Sequence, residues 1–249
     1  VKVASALYDF CADKAKQVAV ETLSIGIGYT AVTTSDGGIG LAYTYFETKK
    51  SCSMVETTID YEGKRASLLL EKLHSEHPIE RSAAFALVNA LNHSKAMELP
   101  QDTNNTLLYD TLEMREGTRI AMVGLFAPLL RAFESRKALV EVLDASRGVG
   151  NPGPFYEKLG SWAHVLILTS TSLLNGTCEG ILGRVGKGVT TVLLGPSTPM
   201  VPEAFRDLPV QVLAGSVPTD RERVLKAVRH GMGTPMLHKY SRKVLQVLQ

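Results

Sequence analysis

The sequence predicts an α/β protein in which an N-terminal α+β unit is followed by a Rossmann-like doubly wound parallel sheet. Three observations predict it. After residue 118, short and nearly unbroken apolar runs recur at residues 119–125, 138–143, 163–168, 189–194 and 210–213, as expected of strands covered by helices on both faces. Helix-length segments separate most of them, an alternation that implies parallel pairing through crossovers. Before residue 112 the pattern is different, with β-branched and aromatic runs on either side of a glycine-rich turn.

Taken in order, Val3, Leu7, Phe10, Ala15, Val18 and Leu23 recur at helical spacing and predict an amphipathic opening helix. Residues 24–34 and 39–46 read as two antiparallel strands, because Ser35-Asp36-Gly37-Gly38 supplies the positive-φ positions of a hairpin turn. Residues 66–73 and 81–92 read as helices, the second carrying Ala84, Leu87, Val88 and Leu91 on one stripe. The change of period near residues 112–118 sets an expected domain boundary, 1–112 against 113–249. In the second part, residues 128–135 and 173–185 are helical. The last helix opens with Thr219-Asp220-Arg221-Glu222, a capping-box spacing. Residues 146–154 hold Gly148, Gly150, Pro152, Gly153 and Pro154, so a lid or a passive crossover is expected there. Internal repeats and low-complexity tracts are absent.

Composition narrows the function classes. With 249 residues, 45% hydrophobic, 21% charged and a net charge of +2, the chain can build a sizeable core. Scattered charge and 6% aromatic residues exclude a nucleic-acid surface. No apolar run approaches the roughly 20 residues needed to span a bilayer. Residues 1–8 lack the basic-then-apolar order of a secretory signal, so a cytoplasmic protein is expected. Cys11, Cys52 and Cys178 are odd in number and far apart, which argues against a disulfide framework and against a metal knuckle.

Candidate site residues fall at strand ends, where open parallel sheets bind ligands. Thr169-Ser170-Thr171-Ser172 and then Asn175-Gly176-Thr177 follow one strand, and Gly195-Pro196-Ser197-Thr198-Pro199 follows the next. Asn175 leads among the polar residues, since an amide offers donors and an acceptor without a change of charge; helix capping competes for the same group. The first strand turn, from Gly124 through Phe126 to Pro128, has one glycine where a dinucleotide fingerprint has three. Gly124 still permits close approach of a ligand, and Pro128 suits the first turn of a helix whose amino end favours an anion. Glu141 and Asp144 end the second strand, where an acid commonly holds a hydroxylated group; alternation lets only one face the crevice, and Asp144 lies nearer the carboxyl end. Asn89 and Asn92 are one helical turn apart and could reach a cleft between the two parts, or serve a solvated face. Gly186-Lys187-Gly188 precedes a strand and has no following hydroxyl, so it is not a triphosphate loop, and His74 and His77 lack companions at zinc spacing.

Val123-Gly124-x-Phe126-x-Pro128-Leu129, then Glu141, then Leu173-x-Asn175-Gly176-Thr177, then Leu194-Gly195-Pro196-Ser197-Thr198-Pro199 occur in an order that resembles the "putative heavy-metal chelation" family of bacterial and archaeal proteins. The likeness covers residues 113–249, and the part that ends near Asn89-Ala90-Leu91 resembles the companion N-terminal domain. The resemblance implies an enolase N-terminal-like α+β domain, a Rossmann-like domain similar to that of methyltransferases, and a cleft between them. It also implies a role in metal chelation, or in making or hydrolysing pterin-, flavin- or siderophore-like chelators. The expected partner is a small polar molecule or a metal complex, with self-association left open and no nucleic acid or membrane. No metal ligand set, cofactor or catalytic acid or base can be named from the residues. A non-catalytic binding protein and an S-adenosylmethionine-dependent methyltransferase are the alternative readings.

Overall fold

The computed structural model describes residues 2–46 and 60–248, so Cys52 lies outside the described residues. Helix α1 (Lys2–Gln17) leads into a meander of β1 (Val20–Ile25), β2 (Tyr29–Thr34) and β3 (Ile39–Tyr43). Helices α2 (Ala66–Leu70), α3 (Pro78–Leu91), α4 (His93–Met97) and α5 (Thr106–Thr111) follow. The second part runs β4 (Arg119–Val123), α6 (Ala127–Ser135), β5 (Leu139–Leu143), α7 (Pro152–Ser161), β6 (Val165–Thr169), α8 (Thr171–Leu174), α9 (Cys178–Leu182) and β7 (Thr190–Leu194). It closes with β8 (Val212–Pro218), α10 (Arg221–Arg229), α11 (Thr234–Leu237) and β9 (Ser241–Val247).

The large sheet has the order β5-β4-β6-β7-β8-β9, parallel except for the antiparallel β9. Its two faces sort by alternation. Ile120, Met122, Val165, Ile167 and Val192 pack with Leu108, Leu129 and Phe133 from α5 and α6. Ala121, Leu143, Leu166 and Leu193 face Phe155, Leu159, Leu173 and Ile181 from α7 to α9. This is the predicted mixed fold, with helices on both sides of a mostly parallel sheet. Among the described residues no helix is long and apolar enough to cross a membrane.

The small sheet is buried on both faces, and by different parts of the chain. Val32 and Ala42 face the cluster that contains α3, whereas Tyr29, Ala31, Ile39 and Leu41 pack against Val224, Leu225, Ala227 and Val228 of α10. Two glycines set the approach. A Cβ on Gly40 would lie 2.1 Å from the Ala86 carbonyl oxygen of α3, and one on Gly26 would lie 2.3 Å from the Val228 oxygen of α10. Helix backbone therefore touches the sheet from each side.

Several local expectations are corrected. The opening helix stops at Gln17, and Leu23 belongs to β1. The expected strand over 24–34 is two strands, split where the Gly26 amide donates to the Tyr29 carbonyl at 2.9 Å. The expected helix over 173–185 is broken into α8 and α9, because Gly176 takes a φ of +74° between them. Asp220, not Thr219, caps α10, accepting from the Arg223 amide at 3.0 Å. Residues 146–154 form a short 3-10 turn that runs into α7, with Pro152 in its first turn and Asn151 as cap. The crossover reading holds there, and the helix was hidden because proline is tolerated at a helix start.

Because of these close approaches, Gly26→Ala and Gly40→Ala should each lower unfolding free energy by about 1–3 kcal/mol, the usual cost of overpacking. Gly180→Ala, in α9 with nothing within 4 Å of the added methyl, should raise it by about 0.5–1 kcal/mol. Urea unfolding of the three variants checks this, and neutral Gly26 and Gly40 substitutions would show that the helices stand farther from the sheet.

Candidate functional site

The chain leaves β4 for β5 on one side and reaches β6 on the other, so the strand order reverses between β4 and β6. Such a switch point opens a crevice at the carboxyl ends of the strands. A cleft of about 590 Å³ lies there, within the size range of small-molecule sites. Its floor comes from the turns after β4, β6 and β7, where Leu125, Phe126, Pro128, Thr169, Ser170, Gly195, Pro196 and Ser197 line it. Tyr29 and Tyr43 of the small sheet form one wall, and Asp102, Asn105, Lys243 and His238 add polar groups on another.

Each turn is held by its own chemistry. Gly124 has a φ of +87° and its missing Cβ would lie 2.9 Å from Thr169 Cβ, so the β4 and β6 turns can touch only because glycine is there. Gly195 has a φ of +138°, and a Cβ would lie 2.7 Å from Ser170 Oγ. Ser197 Oγ accepts from the Tyr43 amide at 2.7 Å, which joins the small sheet to the β7 turn. Tyr29 OH and Thr234 Oγ1 are 2.6 Å apart, and the two tyrosine rings meet edge to face at 5.9 Å. Thr198 is buried below the turn, its hydroxyl without a hydrogen-bond partner among the described residues.

The other sequence candidates are placed elsewhere or are engaged by the protein. Asp144 ends β5 with its carboxylate accepting from the Leu125 amide at 2.9 Å, from Ser146 Oγ at 2.6 Å and from the Arg147 amide at 3.2 Å. It thereby fixes the turn after Gly124. Glu141 forms an ion pair with Lys158 of α7, away from the cleft lining. Asn89 Nδ2 donates to the Leu41 carbonyl at 2.8 Å, a tie between α3 and β3. Asn175 Oδ1 accepts from the Thr177 amide at 3.1 Å and from Thr177 Oγ1 at 2.7 Å, closing its own turn. Gly176 borders a second cavity of about 150 Å³, with Arg81, His74 and Cys178. The structure thus brings the β4, β6 and β7 turns together and sets the Asn175 turn apart from them.

Tyr29, Tyr43, Asp102, Asn105, Arg147, Ser216, Thr234, His238 and Lys243 are among the cleft residues that sequence reasoning missed. Asn104-Asn105 carried a signal, since asparagine is enriched at positive φ, and both adopt it, at 56° and 60°. Burial, followed by the Lys243 charge, pushes His238 down to about 4, so its imidazole is neutral near pH 7. Burial pushes the Asp102 carboxyl up, against the amides it caps at the start of α5.

Direct metal binding does not fit these donors. Among the described residues no group of three or more His, Cys, Asp or Glu is placed to hold a metal ion. Burial pushes the Cys11 thiol up to about 12 and Cys178 to about 11, far from the thiolate that soft metals require.

Fold and cleft together define an α/β protein with a crevice at the switch point of its sheet. Residues 107–247 match one family and residues 8–92 a second, both described as "putative heavy-metal chelation". The first match spans more than half of the 249 residues, and the chain belongs to that family. A protein of unknown function of the DUF364 family from Pyrococcus horikoshii has a similar crystal structure, with a TM-score of 0.82 and 22% identity over 99% of this chain and 100% of the other. A second, from Desulfitobacterium hafniense, gives 0.77 and 18% over 98% and 99%. At these identities the likeness shows the fold. Among curated proteins none matches.

Asp144 generates a pH prediction. Burial raises its carboxyl, but hydrogen bonds from Ser146 and Leu125 and the Arg147 charge together bring it below the usual range. A carboxyl depressed on folding contributes stability that is full above its unfolded value, about 3.9, and lost as pH falls through the folded value. Urea unfolding from pH 7 to pH 3 should therefore show Asp144→Asn less stable at neutral pH, with the gap to wild type closing below about pH 4. A gap that stays constant to pH 3 would mean that the ionised carboxylate is not what holds the turn.

Proposed function

We propose that the cleft holds a small polar metabolite of the pterin-, flavin- or siderophore-like class, and that the protein acts on it as an enzyme of chelator synthesis or hydrolysis. The observation that supports this best is the union of an aromatic wall with two hydroxyl-bearing strand turns, after β6 and β7, in one crevice at the switch point. Tyr29, Tyr43 and Phe126 offer faces to a flat ring, and Ser170, Thr171, Ser197 and Ser216 offer hydroxyls to its polar edge. In this reading chelation is a property of the molecule handled, and the chain divides at 112/113 with α10 reaching back over the small sheet.

A non-catalytic binding role is the second reading, favoured by the state of the cleft's ionisable groups. Asp102 caps α5 and His238 is held neutral by burial, so neither stands as an ordinary proton acceptor with a free partner. The methyltransferase alternative has less support. The first turn carries a single glycine, and Asp144, at the position where an acid would hold a ribose, spends its oxygens on Leu125, Ser146 and Arg147.

Native mass spectrometry of gently purified protein tests the proposal. Wild type should retain a small molecule that Tyr43→Ala loses and Asn175→Ala keeps, since Tyr43 lines the cleft and Asn175 does not. Retention by Tyr43→Ala with loss from Asn175→Ala would move the site to the smaller cavity. Conversion of the identified molecule by purified protein then separates enzyme from binder.

A further inference from the structure

Lys243 lines the cleft within electrostatic reach of the Asp102 carboxyl but not in contact with it. Among the described residues no carboxylate forms an ion pair with it; Nζ donates to Asn105 Oδ1 at 2.9 Å. The other cleft cation, Arg147, is paired with Asp144 at 3.3 Å. A cationic side chain in a half-buried crevice gains most from an anion, because Coulomb attraction strengthens as water is excluded.

The surrounding structure fixes where that charge points. Alternation along β9 sends Arg242 away from the cleft, where its guanidinium donates to the Met97 and Leu99 carbonyls at 3.1 and 2.9 Å. The next residue, Lys243, faces the other side. Its backbone is held from both flanks: it is paired with Ser216 of β8, and its carbonyl accepts from the Asp102 amide at 2.9 Å. Asn105, whose Oδ1 accepts the hydrogen bond from the ammonium, has a φ of 60° directly after Asn104 at 56°. Left-handed backbone in successive residues with a Cβ is unfavourable and persists where surrounding structure enforces it.

Nearby groups leave the ammonium without a contact ion pair, although the Asp102 carboxyl feels its charge. Asp102 turns its carboxylate to the Leu107 amide at 2.9 Å. His238 is neutral near pH 7 and can offer a hydrogen bond, not a charge. Ser216, which pairs with Lys243 across β8 and β9 and also lines the cleft, adds a hydroxyl.

We propose that Lys243 binds a terminal oxyanion, carboxylate or phosphate, of the molecule held in the cleft, and that Asn105 is the positioning residue for its ammonium. This rests on the cleft being the ligand site. The ring-bearing part of the ligand then lies toward Tyr29, Tyr43 and Phe126, and its acidic end toward β9.

Three probes of one shape test it: benzoate, phenyl phosphate and the neutral benzamide, titrated calorimetrically at low ionic strength, where a charge contact is least screened. Wild type should bind benzoate or phenyl phosphate at least tenfold more tightly than benzamide, and the stronger of the two identifies the oxyanion. Lys243→Met should reduce that preference to twofold or less, and Lys243→Arg should keep part of it. Lys243→Gln serves if the methionine variant does not fold. Asn105→Gly relieves the left-handed backbone, so its thermal midpoint should hold or rise while the anion preference falls; a merely structural Asn105 would leave the preference unchanged. Equal binding of all three probes, or a preference that survives Lys243→Met, would overturn the assignment of Lys243 while leaving the cleft as a ligand site. Binding of none of them would overturn both.

Discussion

The structure depends on one constraint, the clamping of a three-stranded sheet between two helices that come from opposite ends of the chain. β2 is buried along its whole length, so neither face of the meander can be left to water. Its own helix α3 covers one face, in backbone contact at Gly40; α10 covers the other, in backbone contact at Gly26. Because apolar burial is the main favourable term in folding, the first part of the chain is complete only when the last part has folded onto it. The clamp also decides where the sheet ends. It brings Tyr43 to the turn after β7 and Tyr29 to α11, and those two tyrosines become the wall of the cleft.

The floor of the cleft follows from a second set of close contacts. Gly124 and Gly195 let neighbouring turns approach to distances that a side chain would forbid, and Asp144 joins the first of these turns, through the Leu125 amide, to its own turn, through Ser146 and the Arg147 amide. The acid thus serves the turn, and the cleft is left with hydroxyls, aromatic rings, the neutral His238, the Asp102 carboxyl that caps α5, the paired Arg147 and the charge of Lys243. That inventory suits an organic molecule with oxygen functions better than a bare heavy-metal ion, for which thiolate or imidazole clusters are the usual ligands. The family description and the donor set agree if the chelator, not the metal, is what the protein recognises.

Much of the architecture was legible in the sequence because it is written in local patterns. Apolar runs of strand length at 119–123, 165–169 and 190–194 were readable because each is buried on two faces, and 139–143, the half-exposed edge strand, was readable from its apolar run alone; the loops after β6 and β7 were readable from their hydroxyls and glycines. What was missed is non-local. β1 was divided between the opening helix, which took Leu23, and a longer strand from Ser24, because the Gly26-Ile27-Gly28 turn makes sense only once α10 lies against it. β9 was missed because Arg242 and Lys243 are charged residues in a strand, each useful only through partners more than 100 residues away. The cleft residues Tyr29, Asn105 and Lys243 sit on three separate segments, and no spacing in the sequence connects them. Asn175 shows the converse: a polar triplet prominent in the sequence closes its own turn between α8 and α9.

Native-state hydrogen exchange across a range of sub-denaturing urea concentrations tests the clamp most directly, since it reports the opening free energy of each segment. If α10 completes the small sheet, the slowest amides of β2, β3 and α10 should converge on a single opening energy and urea dependence, exchanging as one unit. An α10 that opens at a markedly lower energy, with β2 and β3 still protected, would show that the sheet stands without its second helix and would contradict the account.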